Sequence, residues 1–229
     1  MRLSNLSGVL VINKILMLLR PVDGGYDPVS TELAQYYTQT EWQIFNPAMV
    51  DVLEAKIGGF QGKRILDLGG GPGQFAIEFA KRGGQVTWHD ISKKYFSIVQ
   101  GLAKAHGVEL ALSLGYLEEA SKFLDNPFDL VFNRICWRYC LNDFKFAKLI
   151  HDLIRPGGWG YVNSDYWLEN MSATVRLRFA VNAHTGIKIG HIIPPPGRLE
   201  KYFRGFGDLD VEVTSHPPKE HLFLNKRIG

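Results

Sequence analysis

Cysteine is scarce: the 229 residues hold two, Cys136 and Cys140, four apart. That pair supplies neither the four ligands of a structural zinc site nor a disulfide framework, and a reducing cytoplasm is the default reading. Long apolar runs are lacking too. The most apolar stretch, residues 8–19, is too short to span a bilayer and is interrupted by Asn13-Lys14. No small-residue cleavage site follows it, which argues against a signal peptide. The preferred reading of 8–19 is a helix docked on the domain; the alternative is a peripheral helix lying on a membrane or capping a site. Charge of one sign is also missing. Lys and Arg number 26 against 23 Asp and Glu, leaving +3 with the basic residues scattered, which is not the footprint of a nucleic-acid binder. The seven histidines show no H-x-x-x-H or similar ligand spacing, so no metal site is expected. No internal repeat or low-complexity tract is visible.

What is present is a globular composition, 45% apolar and 21% charged, in a chain long enough to bury one sizeable α/β core. The informative stretch is Ile65 to Phe75. An apolar run (Ile65, Leu66, Leu68) leads into glycines at 69, 70, 71 and 73, and a helical pattern follows with Phe75, Ala76, Phe79 and Ala80 on one face. Strand, glycine turn and helix bring backbone N–H groups close to a ligand with no Cβ atoms in the way. A dinucleotide fingerprint counted from Gly69 needs its third glycine at residue 74, and Gln74 stands there. The spacing that does occur is Asp67-x-Gly69-x-Gly71-x-Gly73.

That spacing resembles the first motif of class I S-adenosylmethionine (SAM)-dependent methyltransferases. The run Val86-Thr87-Trp88-His89-Asp90-Ile91-Ser92 is similar to the family's second motif, with Asp90 placed 17 residues after Gly73. A carboxylate at such a strand tip has two oxygens to accept both ribose hydroxyls. The resemblance covers Gly62 to Asn163 firmly and implies a doubly wound, mostly parallel seven-stranded sheet with helices on both faces. It implies one domain over 1–229: a helical cap at 1–58, a SAM-binding core at 59–165, a lid insertion after strand five at 166–197, and a final helix with edge strands at 198–229. Thr31 to Ile57 reads as one or two helices, Leu209–Thr214 and Leu222–Leu224 as a final, antiparallel strand pair.

The resemblance also assigns roles. Asp67, Gly69, Gly70, Gly71, Gly73, Asp90 and Ile91 are expected at the cofactor. Where relatives carry Gly-Asp-Ala after strand three, this chain has Gly115-Tyr116-Leu117-Glu118, so Tyr116 takes the acid's place. Adenine is then left to backbone groups at 116 and 117, to stacking on Tyr116, or to Glu118. Asn133 ends the strand that resembles the fourth motif and borders the cofactor. Tyr37, in the segment before the first motif, can reach the methionine carboxylate or else fill core. Arg134 and Arg138 are candidates for an anionic group on the acceptor, or pair with protein carboxylates. Tyr166 can orient the acceptor, and Asp165, His184 and His191 are the candidate bases, needed only if the acceptor must lose a proton. Methyl transfer to an oxygen or nitrogen of a small molecule is the expected function. The alternatives are an RNA or protein methyltransferase and a SAM-binding subunit without chemistry.

Overall fold

Seven strands form one sheet in the order β3-β2-β1-β4-β5-β7-β6. The computed structural model describes residues 29–165, 194–216 and 219–229, with isolated positions at 15, 27, 177, 178, 180, 181 and 184. Helices α1 (Thr31–Gln43) and α2 (Ala48–Ile57) precede β1 (Arg64–Leu68); α3 (Gln74–Lys81), β2 (Gln85–Asp90), α4 (Lys93–Ala105) and β3 (Ala111–Leu114) follow. A short 3-10 segment (Leu117–Phe123) leads to β4 (Phe128–Arg134) and a second one (Trp137–Tyr139) to α5 (Asp143–Leu153). Strand β5 (Ile154–Asp165), helix α6 (Arg198–Arg204), β6 (Leu209–His216) and β7 (Lys219–Lys226) complete it. β1 to β5 run parallel, whereas β7 lies antiparallel between β5 and β6.

Alternation along the strands sorts the core into two layers. Ile65, Trp88, Leu130, Phe132 and Tyr161 face α1 to α4, where Ala34, Leu53, Phe79 and Val99 meet them. Leu66, Leu68, Val131, Val162 and Leu222 face the other way, onto Ala120, Phe146, Ile150 and Phe203. Two helices, not one, lie between Thr31 and Ile57, separated at Ile44. Ser92 caps α4 by accepting from the Tyr95 N–H, and the buried stripe there is Tyr95, Val99 and Ala103, with Phe96 and Leu102 only half-buried beside it.

The junction of α5 and β5 departs from expectation. Arg155-Pro156-Gly157-Gly158 reads as the stop between a helix and a strand starting at Trp159. In the structure the helix ends at Leu153, Ile154 already pairs with Phe128, and 155–158 bulge outward before Trp159 pairs with Leu130. The anchor is electrostatic: Arg155 Nε donates to Asp129 Oδ1 at 2.6 Å, drawing the chain into the sheet early. The apolar run 8–19 lies outside the described residues, apart from Ile15, an exposed helical position.

Candidate functional site

The glycine turn after β1 is fixed from every side. The Gly69 and Gly70 N–H groups both donate to the His89 carbonyl, at 2.8 and 3.2 Å, and Gly73 N–H to the Gly70 carbonyl at 3.0 Å. Two indoles hold its far side: Trp88 Nε1 donates to the Gly71 carbonyl and Trp42 Nε1 to the Pro72 carbonyl, each at 3.2 Å. The four glycines are glycine for different reasons. A Cβ on Gly69 would meet Cys136 Sγ at 2.6 Å, one on Gly70 would run into the Trp88 ring, and one on Gly73 would meet Val99 at 2.7 Å. Gly71 is the exception. Its φ is +47° and a Cβ there would meet no heavy atom of the described residues within 4 Å. Three glycines serve packing; the fourth faces open space at the carboxyl ends of the strands, where open α/β sheets bind ligands.

Carboxylates ring that space. Asp90, half-buried at the tip of β2, accepts from Gly71 N–H at 3.0 Å through Oδ2 and from Ser92 N–H at 2.9 Å through Oδ1. Each oxygen keeps a lone pair for a further donor. Asp67 is buried beneath the turn. The Ala76 N–H, in the first turn of α3, donates to its carboxylate, and its Oδ2 has no partner among the described residues. Burial and, secondarily, the Asp90 charge push the Asp67 carboxyl up to about 7; burial raises Asp90 as well. Asp27 adds a third acid, bonded to Ser92 Oγ and the Lys94 N–H. Lys94 Nζ lies 3.4 Å from Asp27, which leaves Asp67, with its orphaned oxygen, and Asp90 as the acids at the turn.

A family model described as "Methyltransferase domain" matches residues 65–158, from β1 to the end of the β5 bulge. Over that span the chain is similar to SAM-dependent methyltransferases. Relatives agree. Ubiquinone biosynthesis O-methyltransferase of Aeromonas salmonicida is 31% identical over 119 residues, 52% of this chain and 50% of that protein. The tRNA 5-carboxymethoxyuridine methyltransferase of Escherichia coli K12 is 26% identical over 141 residues, 59% of this chain and 54% of the other. The chain thus spans about half the length of the curated relatives it matches. In fold it is similar to an O-methyltransferase family protein from Burkholderia thailandensis, with TM-score 0.65, 17% identity, and coverage of 97% of this chain and 72% of that one.

SAM is the family's cofactor, and the methyltransferase turn suits it. The donor carries an ammonium and a sulfonium, and the site offers an unpartnered Asp67 oxygen, the Asp90 carboxylate and the open face of Gly71. Ile91 is half-exposed next to Asp90. Around β3 the placements are less simple. The Tyr116 N–H donates to Glu119 Oε2 at 3.2 Å and its carbonyl accepts from His89 Nε2 at 2.7 Å, so both backbone groups of residue 116 are engaged within the protein and its ring is buried. A carbonyl only accepts, so His89 carries its proton on Nε2; Ser113 then donates to Nδ1 at 3.0 Å. Burial pushes that imidazole down to about 4, keeping it a neutral brace between the tips of β2 and β3. Leu117 packs against the Gly69 position, and Glu118 Oε1 accepts from the Leu141 N–H at 2.6 Å, tying two loops together.

At the tip of β4, Asn133 Nδ2 donates to the Leu68 carbonyl at 2.9 Å and sits 2.7 Å from Cys136 Sγ; its Oδ1 has no partner among the described residues. Ile135, next but one, has φ +60°, the one non-glycine residue with positive φ among those described. A β-branched residue there costs about 1–3 kcal/mol. Ile135→Asn, a residue that tolerates this conformation, is expected to leave the melting temperature unchanged or raise it in a thermal denaturation scan.

The candidate acceptor residues scatter more widely. Arg134 does not stand open to solvent: its guanidinium donates to Glu41 Oε2 at 2.9 Å and lies 5.3 Å from the Phe75 ring centroid. Arg138 is half-buried in the 3-10 segment after β4. Asp165 ends β5, paired in register with Lys219. His184 is exposed. Tyr166 and His191 lie outside the described residues. Sequence reasoning passed over Glu41, Gln74 and Thr38, since nothing local distinguishes a buried glutamate from any other helical one.

Proposed function

We propose that this methyltransferase moves the methyl group of SAM to an oxygen or nitrogen of a small molecule, in the cytoplasm. The observation that carries the reading is the open face of Gly71 between the Asp67 and Asp90 carboxylates. When bound, SAM supplies a methyl group already activated on sulfonium. The protein's share is then to bind, orient and exclude water, and positioning of this kind can supply about 7–11 kcal/mol of a barrier. Asp90 holds the ribose hydroxyls with the lone pairs its two backbone bonds leave over. Asp67 and the other acids attract the cationic end, Asn133 borders the cofactor at the β4 tip, and Arg134, Arg138 and Tyr166 are the candidates for the acceptor side. The basic work, if the acceptor is a hydroxyl, falls to Asp165, His184 or His191. The small-molecule acceptor is supported by the name of the Aeromonas relative. The name of the E. coli relative supports a second reading, an RNA acceptor.

Calorimetric titration with SAM and its demethylated product tests the cofactor. Binding of RNA at two salt concentrations tests the acceptor class, because phosphate contacts give a steep salt dependence that a small-molecule enzyme lacks. Asp90→Ala is expected to weaken SAM by about 1.5–3 kcal/mol in the same titration, the range for hydrogen bonds to a charged group. Unchanged affinity in a folded variant would place the ribose elsewhere.

A further inference from the structure

Helix α1 turns one stripe toward the glycine loop. Ala34, Tyr37, Thr38 and Glu41 recur at helical spacing, and Trp42 beside them reaches the Pro72 carbonyl. Within that stripe Glu41 is buried, and its Oε2 accepts two bonds at once: from Arg134 at 2.9 Å and from Gln74 Nε2 at 3.0 Å. The Tyr37 hydroxyl is hydrogen-bonded to the same carboxylate, and burial together with the Glu41 charge holds that phenol well above its usual range. A guanidinium, an amide N–H and a phenol converging on one carboxylate make an anion cradle, built from three separate elements.

We propose that Arg134, Gln74 and Tyr37 form a carboxylate-binding cradle which Glu41 fills until the α-carboxylate of the donor displaces it. The inference rests on the SAM reading above and names a competitor built into the cap helix. The location supports it. Arg134 is the cation whose charge acts on Asp67, the proposed ammonium receptor, and in an amino acid the ammonium and the carboxylate share one carbon. The first turn of α3 joins the two places, with Gln74 Nε2 on Glu41 and the Ala76 N–H on Asp67, so a ligand ammonium at Asp67 sets its carboxylate on the side of the Glu41 cradle. Two orphaned atoms fit the same ligand. Gln74 Oε1 and Thr38 Oγ1 are buried without partners among the described residues. Gln74 can give Nε2 to a carboxylate while Oε1 accepts from the ammonium, and the Thr38 hydroxyl can donate to the carboxylate. Two carboxylates crowded against one half-buried guanidinium repel each other, which favours the departure of one. Glu41 is the one that gives way, by a change of side-chain rotamer.

Titrating SAM and 5′-methylthioadenosine, which lacks the amino-acid end, separates this inference from the cofactor reading. Glu41→Gln is expected to tighten SAM about tenfold, one hydrogen-bonded charge's worth, and to leave methylthioadenosine unchanged. Arg134→Gln is expected to weaken SAM about tenfold or more, again with methylthioadenosine unchanged, which also reports that the variant is folded. If Glu41→Gln leaves SAM as before, or weakens it, Glu41 is no competitor and the inference fails while the cofactor reading stands. If neither compound binds the unaltered protein, both fall together.

Discussion

Gly71→Val should abolish SAM binding while leaving the protein folded. The added side chain has nothing of the protein to collide with, since a Cβ at Gly71 meets no heavy atom of the described residues within 4 Å. It pays for its positive φ, about 1–2 kcal/mol for an L-residue in left-handed backbone, which a domain with this core survives. What it fills is the space assigned to the donor, so the dissociation constant is expected to rise by at least about a hundredfold, about 2.7 kcal/mol. Gly62 supplies the control. Its φ is +69° and it too has nothing within 4 Å, but it lies in the turn before β1, at the opposite end of that strand. Gly62→Val should lose similar stability in thermal denaturation and keep its SAM affinity in calorimetry. A Gly71→Val protein that titrates normally would remove the turn from the binding site.

The second large effect is on pH. The Asp67 carboxyl is pushed up to about 7 by burial, with the Asp90 charge adding to it. An acid raised in the fold favours its neutral form there, while the unfolded chain ionises near 3.8. Its stability contribution is therefore complete below about pH 3.8 and is lost as pH rises toward 7, by an amount on the order of 1–4 kcal/mol. A cationic donor reverses the preference, because it stabilises the ionised carboxylate. Donor-free protein should lose stability between about pH 4 and 7 in chemical denaturation, and SAM affinity should climb through the same upper range. Asp67→Asn, whose amide oxygen can still accept from the Ala76 N–H, should flatten both curves. If affinity in that variant keeps its pH slope, the titrating group is another acid.

The two outcomes bear on what a sequence can reveal. The glycine turn was legible because its chemistry is local: a positive-φ turn favours glycine wherever it occurs. The antiparallel end of the sheet was legible as two strands at 209–214 and 222–224, although they run longer, Leu209–His216 and Lys219–Lys226. Contacts between distant segments were not. Glu41 and Arg134 lie 93 residues apart, and only the fold makes one the other's partner. The same holds for Arg155, whose pairing with Asp129 overrides the stop signal of Pro156-Gly157-Gly158. That His89 and Glu119 engage the Tyr116 backbone was likewise invisible until β2 and β3 stand side by side.

The position of β7 has a consequence for how the molecule comes into being. Residues 219–226 pair along both edges, with β5 on one side and β6 on the other, so that strand works as a wedge. During synthesis β1 to β5 and the turn between β1 and α3 can assemble in the order they leave the ribosome. The edge at β5 stays unzipped until the wedge emerges, exposing backbone groups that invite a neighbour's strand. A nascent chain stalled before Lys219 would carry β5 as an unpaired edge beside a nearly finished parallel sheet.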